Sequence, residues 1–205
     1  MQNVVCGFSA LLTGGIFLVM SASLLADGSL PEFDRVRVLE SAPQIGEAEL
    51  TDQDGESVRL SDLRGKLALV FFGFTNCRNV CPMAMEKLRR LERSGQLVPE
   101  DVAYILISVD GERDTPEVMK EFLSTYSPRF IGLTGKPEYV RGIAKEFSAA
   151  FFKGHKDKSG DYQVMHSPQI FLVDPDGRLR AELHDASIEA MVETSLAVLN
   201  EDRGP

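Results

Sequence analysis

Two cysteines, Cys77 and Cys81, followed at once by Pro82, form the pattern in this chain that could do chemistry. The apolar run 67–74 before them predicts a buried strand, and Pro82 is typical of the first turn of a helix. Both sulfurs are therefore expected where a strand ends and a helix begins. Backbone N–H groups and the helix dipole favour a thiolate at such a place. Two thiolates there can bind a soft metal ion or be oxidised to a disulfide.

Histidine is the residue type that could complete a metal site, because two thiolates are too few ligands to hold an ion stably. His155 lies in a charged segment and His184 stands beside Asp185 after the last predicted strand, so both are predicted to be surface residues. His166 differs, since it precedes an apolar run and is followed closely by Pro168. Two interpretations of His166 stay open, a metal ligand or a hydrogen-bonded loop residue.

The elements that must position these side chains alternate between strand and helix through the middle of the chain. A first hairpin is predicted over 50–60. Further strands are predicted at 67–74, 102–109, 130–133, 170–173 and 179–183, and helices at 83–93, 115–126, from 136 onwards, and 187–199. This order predicts an α/β sandwich around a central mixed sheet, and the cysteines at the first strand-to-helix junction make it thioredoxin-like. In that fold a cis-proline loop at Pro168 would bring His166 towards the cysteines.

The N-terminal part of the chain is predicted to be a membrane anchor. Residues 4–26 carry no charged side chain and are long enough to cross a bilayer as a helix of about 20 residues. A secretion signal is the alternative, but a cleavable signal usually begins with basic residues, and no Lys or Arg precedes this stretch. We therefore expect an anchor or signal over 1–26, a linker over 27–44, and one folded domain over 45–205.

The net charge of the chain limits the classes of partner that it can bind. The formal net charge is −9, which argues against nucleic acid and against docking on anionic lipid through basic side chains. An acidic domain is compatible with a metal cation or with a basic face on a partner protein. Cys6 lies in the apolar stretch and is predicted to be a membrane-buried thiol. Cys77 and Cys81 are then the one cysteine pair in the soluble part of the chain. If the anchor places this part outside the reducing cytosol, a disulfide between them can persist.

Several segments together resemble the Sco/SenC family. They are residues 71–82, 108–116, 131–135, 166–167 and 174–177, which follow one another in the family's order. The resemblance covers most of residues 45–200. It implies a thioredoxin-like protein that is tethered by one N-terminal helix outside the cytoplasmic face. The corresponding compartment is the bacterial periplasm or the mitochondrial intermembrane space.

The same resemblance implies copper as the ligand, as Cu(I) and also as Cu(II), with Cys77, Cys81 and His166 as the metal ligands. Family members help to build the binuclear copper centre of cytochrome c oxidase. The implied partners are the copper-centre subunit of that oxidase or another copper acceptor, together with other copper chaperones or thiol reductants. The chain is accordingly expected to be a metallochaperone rather than an enzyme.

This chain departs from the family's pattern around the cysteines. The family often has His, Pro and Asp where this chain has Asn76, Arg78 and Asn79, and an Asp where it has Met165. Arg78 is expected to favour thiolate while repelling a cation. Met165 could offer a thioether to Cu(I), although packing is the role predicted for it, for Met83 and for Met85.

Two further functions stay open. The first is a thiol-disulfide oxidoreductase that reduces the cysteines of a partner protein, with Cys77 as nucleophile and Cys81 as the resolving thiol. The second is a redox or copper sensor that changes partners. A peroxidase is disfavoured, because the proline and spacing of a peroxidatic cysteine motif are missing before Cys77. A closed four-ligand zinc site is not visible in the sequence.

Overall fold

The computed structural model describes residues 35–46 and 48–203 of this protein. Within them, ten strands and four α-helices follow the alternating order that the sequence predicts. The strands are β1 Val36–Val38, β2 Glu49–Asp52, β3 Ser57–Arg59, β4 Leu67–Gly73, β5 Val102–Ser108, β6 Phe130–Thr134, β7 Phe151–Lys153, β8 Val164–His166, β9 Ile170–Val173 and β10 Leu179–Leu183. The helices are α1 Val80–Arg93, α2 Pro116–Ser124, α3 Pro137–Glu146 and α4 Ile188–Arg203.

Eight of these strands form one mixed sheet in the order β1-β10-β9-β4-β5-β6-β2-β3. Strands β4, β5 and β6 run parallel, whereas β9 pairs with β4 antiparallel. Every residue of β4 and of β5 is buried, which explains why both segments read as continuous apolar runs without alternation. The mixed α/β sheet is therefore confirmed, and β4 ends directly before the cysteine loop.

Local sequence signals account for the ends of several elements. In α2 the hydroxyl of Thr115 caps the helix by accepting a hydrogen bond from the backbone N–H of Val118, and Pro116 fills the first turn. The predicted first hairpin is formed by β2 and β3, and its turn places Gly55 at a φ of +86°. Glycine reaches that left-handed conformation without the steric cost that a side chain would bring.

Helix α1 begins at the cysteine motif and buries one stripe of its surface. The stripe consists of Cys81, Ala84, Met85, Leu88 and Leu91. Their spacing of three and four residues keeps them on one face of the helix. Burial of this stripe fixes how α1 lies on the domain, and it fixes the direction in which the Cys81 sulfur points.

The sheet differs from the sequence-based expectation at its first strand. Val36–Val38, inside the range predicted as a linker, pair antiparallel with β10 and form an edge of the sheet. Three residues are too few to show a periodicity, so this strand carries no signal of its own. It is specified by its partner β10. The predicted anchor over 1–26 lies outside the described residues, and none of the described helices is both apolar and long enough to cross a bilayer.

A second difference lies before β9. Strands β7 and β8 form a separate two-stranded antiparallel sheet, which pairs Phe151 with His166. We call residues 151–166 the β7–β8 hairpin. The peptide bond before Pro168 is trans, so the cis-proline loop expected there is absent. Trans is the default for a peptide bond before proline. His166 is instead positioned by its pairing within this hairpin.

Candidate metal centre

The two cysteine sulfurs lie at the N-terminal end of α1, as predicted. Cys81 is fully buried in the first turn of the helix, and Cys77 is partly exposed in the loop that follows β4. The Cys81 sulfur accepts a hydrogen bond from the backbone N–H of Phe74 at 3.5 Å. The Cys77 sulfur accepts one from the N–H of Cys81 at 3.4 Å. Both cysteines are free thiols, so both sulfurs are available for metal binding or oxidation.

His166 ends strand β8 and points its ring at these sulfurs. Its Nε2 atom lies 3.2 Å from the Cys81 sulfur and 4.0 Å from the Cys77 sulfur. Its Nδ1 atom lies 3.1 Å from the carbonyl oxygen of Ser167. A carbonyl oxygen only accepts hydrogen bonds, so Nδ1 carries the proton and the lone pair of Nε2 faces the cysteines. The ring therefore has the tautomer that a metal ligand needs.

Two aromatic rings hold the imidazole in place. Phe71 and Phe74 approach the His166 ring edge-on, with centroids 5.6 and 5.8 Å away. Both phenylalanines are buried, and Phe71 belongs to β4. Edge-on packing of this kind favours one ring orientation. The imidazole is therefore anchored to the central sheet as well as to its own hairpin.

The geometry of the three donors suits a metal ion. The sulfurs of Cys77 and Cys81 and a ring nitrogen of His166 all lie within 4.8 Å of one another. An ion bound to three such atoms at about 2.0–2.3 Å separates them by about 3.5–4 Å. Among the described residues, no other group of three or more His, Cys, Asp or Glu side chains comes this close. Two thiolate donors and one imidazole match soft or borderline ions such as copper.

Burial dominates the electrostatics of the site. It raises the pKa of the Cys81 thiol far above its usual value, and this outweighs the hydrogen bond from Phe74. The sequence predicts a thiolate at the helix N-terminus, but the raised pKa means that Cys81 is a neutral thiol until a cation binds. Burial also lowers the pKa of His166, so its imidazole is neutral and its lone pair is free. Metal binding at Cys81 must release a proton.

A buried carboxylate supports the loop in front of Cys77. Asp114 accepts hydrogen bonds from the backbone N–H of Thr75 at 3.0 Å, from the Thr75 hydroxyl at 2.6 Å and from the Ser108 hydroxyl at 2.7 Å. Its side chain is fully buried, and burial raises the pKa of its carboxyl. This supporting role of Asp114 is not predicted from the sequence. The available signal was a charged residue closely following β5, a strand that is buried throughout.

We expect Asp114→Ala to lower the free energy of unfolding by about 2–4 kcal/mol, because it leaves two partly buried donors at Thr75 and one buried donor at Ser108 without an acceptor. Denaturant unfolding measures the effect. The matched control is Asp54→Ala, which removes an exposed carboxylate paired with Lys120 and should change stability little. Equal stabilities of the two variants would contradict the supporting role of Asp114.

Gly73, the last residue of β4, leaves room for the Cys81 sulfur. A Cβ atom at this position would lie 2.9 Å from that sulfur and 2.8 Å from the Phe71 ring. We expect Gly73→Ala to destabilise the fold by about 1–3 kcal/mol and to weaken metal binding, because the sulfur must move. Denaturant unfolding and metal titration measure the two effects.

Gly142→Ala is the matched control for Gly73→Ala. Gly142 lies in α3, where an added Cβ atom meets nothing within 4 Å. Alanine favours a helix over glycine by up to about 1 kcal/mol, so this variant should be as stable as the wild type or more stable. Unchanged metal binding by Gly73→Ala would show that the close approach of Gly73 to Cys81 is unimportant for the site.

The remaining candidates lie away from the three donors. His155 and His184 are exposed, and His184 lies 3.0 Å from a Glu182 oxygen, so both are surface residues as predicted. The packing role predicted for Met85 is confirmed, because this residue is buried in the core. The packing role predicted for Met83 and Met165 is wrong, because these residues are 66% and 67% exposed. Met165 precedes His166 within β8, and strand alternation directs it to the opposite face of the hairpin.

Comparison with known proteins finds relatives over most of the chain. The family model for SCO1/SenC matches residues 37–199. A SCO2-like protein of Rickettsia felis is 32% identical over 167 residues, which cover 80% of each chain. The structure of Bradyrhizobium japonicum ScoI with copper bound is 34% identical, with a TM-score of 0.70, and the match covers 77% of this chain and 100% of that one.

A second similar structure is that of BsSco, in which a disulfide switch was identified. BsSco is described as a member of the Sco family of cytochrome c oxidase assembly proteins. It is 25% identical to this chain, with a TM-score of 0.63, and the match covers 79% of this chain and 97% of BsSco. The family model spans most of the chain and agrees with these relatives, and we conclude that this protein belongs to the SCO1/SenC family.

Proposed function

We propose that this protein binds copper through Cys77, Cys81 and His166 and delivers it to, or prepares, the binuclear copper centre of cytochrome c oxidase. The observation that carries the proposal is the approach of two cysteine sulfurs and one unprotonated ring nitrogen to within 4.8 Å of one another. Membership of the SCO1/SenC family supports it, as does the similarity to a copper-bound ScoI. The oxidase role is supported by the description of BsSco.

The donor set explains how copper would be held. Two sulfurs and one nitrogen satisfy Cu(I), and Cu(II) requires one added ligand. The hydrogen bond from Nδ1 of His166 to the Ser167 carbonyl keeps Nε2 free and fixes the plane of the ring. Both cysteines must be reduced and must lose their protons, so copper loading is linked to the redox state of the pair.

The unequal exposure of the two cysteines suggests how copper would leave. Cys77 is partly exposed, whereas Cys81 is buried. A donor from the acceptor protein can therefore reach the ion on the side of Cys77 and replace that ligand first. Stepwise exchange keeps the ion coordinated throughout, and the buried Cys81 releases it after Cys77. The acceptor in this proposal is the copper-centre subunit of the oxidase.

Thiol-disulfide exchange is the second candidate function, and the closeness of the two free sulfurs favours it. The thiolate of Cys77 would attack a partner disulfide and form a mixed disulfide, with one partner thiolate leaving. Cys81 would then attack Cys77, which releases the second partner thiolate and leaves a Cys77–Cys81 disulfide. Two electrons pass from this chain to the partner. A sensor would use the same copper or redox states to change its partners.

The location of the protein belongs to this proposal. Copper delivery to the oxidase centre requires the domain to lie outside the cytoplasmic face, in the periplasm or in the mitochondrial intermembrane space. An anchor over residues 1–26 would keep it at the membrane there. The relatives include bacterial and mitochondrial proteins, among them the Rickettsia felis protein and a mitochondrial SCO2 homolog of Bos taurus.

Anaerobic loading of the reduced full-length chain with Cu(I), followed by desalting and metal analysis, tests the proposal. We expect one retained copper per chain. In parallel, the reduced chain is mixed with a copper-free acceptor domain that contains an oxidised cysteine pair. Reduction of that pair together with loss of Cu(I) on desalting would favour the oxidoreductase function and contradict copper delivery.

A further inference from the structure

The β7–β8 hairpin carries one metal ligand, yet it stands apart from the main sheet. Its two strands pair with each other and form a separate two-stranded sheet. His166 ends this hairpin, whereas Cys77 and Cys81 belong to the loop after β4 and to α1. Besides the packing of the His166 ring on Phe71 and Phe74, the distance between the histidine and the sulfurs therefore depends on side-chain contacts that join the hairpin to the cysteine loop.

Asp161 makes such contacts on both sides of Cys77. One of its carboxylate oxygens accepts a hydrogen bond from the amide of Asn76 at 3.1 Å. The other oxygen pairs with the guanidinium of Arg78 at 3.0 Å. Asn76 and Arg78 are the residues immediately before and after Cys77. A single carboxylate on the hairpin thus holds the loop at the two positions that flank a candidate ligand.

Asp161 is itself fixed from two directions. Its backbone N–H donates to the Asp157 side chain at 3.0 Å, which shapes the turn of the hairpin. Its carboxylate also pairs with Arg113 at 2.9 Å. Arg113 is anchored in turn, because it pairs with the buried Asp110 and stacks on the Tyr162 ring at 3.7 Å from the centroid. The carboxylate is therefore held by the body of the domain as well as by the loop.

We propose that Asp161 is a positioning residue for the metal site, which holds the His166 hairpin against the Cys77 loop before the ion arrives. The inference rests on the proposed copper function. An ion that meets three preassembled ligands does not have to order the hairpin on binding, so its affinity is higher.

The expected size of the effect follows from the exposure of the partners. The Arg78 side chain is 75% exposed, so its ion pair alone contributes little, and Arg78→Ala should lower Cu(I) affinity by about twofold. Asp161→Ala removes three contacts at once, including the one to the more buried Arg113. We expect this variant to lower Cu(I) affinity by about tenfold.

A double-mutant cycle in the full-length reduced chain tests the inference. Cu(I) affinity is measured by competition with a chromophoric Cu(I) chelator for the wild type, Asp161→Ala, His166→Ala and the double variant. If Asp161 acts through His166, Asp161→Ala lowers the Cu(I) affinity of the wild type about tenfold. In the His166→Ala background the same substitution then lowers the Cu(I) affinity no further. Equal losses in both backgrounds would overturn the inference, because they would show a general structural effect. Asp176→Ala, which removes an exposed carboxylate paired with Arg178, is the matched control.

Hydrogen exchange of the metal-free protein gives an independent readout. The amide of Gly154 in the hairpin donates to the Gln163 carbonyl, and the amide of Ser167 directly after the hairpin donates to the Ala150 carbonyl. Both amides should exchange faster in Asp161→Ala. The amides of β4 and β5 should keep their wild-type rates. Unchanged hairpin rates would overturn the inference. Equal Cu(I) affinities of the wild type and Asp161→Ala would overturn the inference about Asp161 but leave the proposed copper function intact. A wild type that binds no Cu(I) would overturn both.

Discussion

His166→Ala should lower the Cu(I) affinity of the reduced protein by at least about a hundredfold, since replacing a residue that only supports a ligand already costs 10–100-fold. His166 supplies the nitrogen that lies 3.2 Å from the Cys81 sulfur, and two sulfurs alone do not complete a stable site. The reduction potential of the Cys77–Cys81 pair should change little, because neither sulfur is altered. Chelator competition and redox titration measure the two quantities.

The same variant separates the two main functions. A copper carrier depends on His166 as a ligand, whereas a thiol-disulfide oxidoreductase keeps its redox pair when His166 is absent. His155→Ala and His184→Ala are matched controls, because both side chains are exposed and neither belongs to the group of close donors. Wild-type copper affinity in His166→Ala would rule out the ligand assignment.

Cys77→Ser should abolish copper retention and disulfide formation together, which is a larger loss than that of His166→Ala. A serine oxygen is a poor ligand for Cu(I), and one sulfur with one nitrogen is too few donors. The remaining thiol of Cys81 is buried and has a raised pKa, so it does not replace the lost nucleophile. Metal analysis after desalting and a thiol count after mild oxidation measure the two losses.

Cys6→Ser is the matched control for Cys77→Ser. It removes the third cysteine of the chain, which lies outside the described residues and was predicted to be a buried membrane thiol. This variant should retain one copper and form the disulfide normally. Stoichiometric copper in Cys77→Ser would mean that the metal is bound elsewhere, and the site described here would then have another role.

The sequence predicts the central features of the site because their signals are local. A continuous apolar run indicates β4, and a proline directly after Cys81 indicates the start of α1. These two signals place both sulfurs at a strand-to-helix junction. His166 could be singled out because it alone of the three histidines precedes a buried strand, although its ligand role stays a prediction.

Long-range contacts explain what the sequence could not predict. Asp114 and Asp161 act on residues 39 and 83 positions away in the chain, and no local pattern indicates such pairs. The two strands of the β7–β8 hairpin are only three residues long, so periodicity does not indicate them. The protonation state of Cys81 depends on how deeply α1 packs against the domain. Its burial raises the pKa of the thiol and outweighs the effect of the helix N-terminus, although only the helix N-terminus could be predicted from the sequence.

X-ray absorption of the copper-loaded full-length protein tests the central claim most directly. The account predicts one copper per reduced chain with two sulfur donors and one imidazole nitrogen, and loss of the nitrogen donor in His166→Ala. A donor shell without sulfur or without nitrogen in the wild type, or a shell unchanged in His166→Ala, would contradict the assignment of Cys77, Cys81 and His166 as the copper ligands.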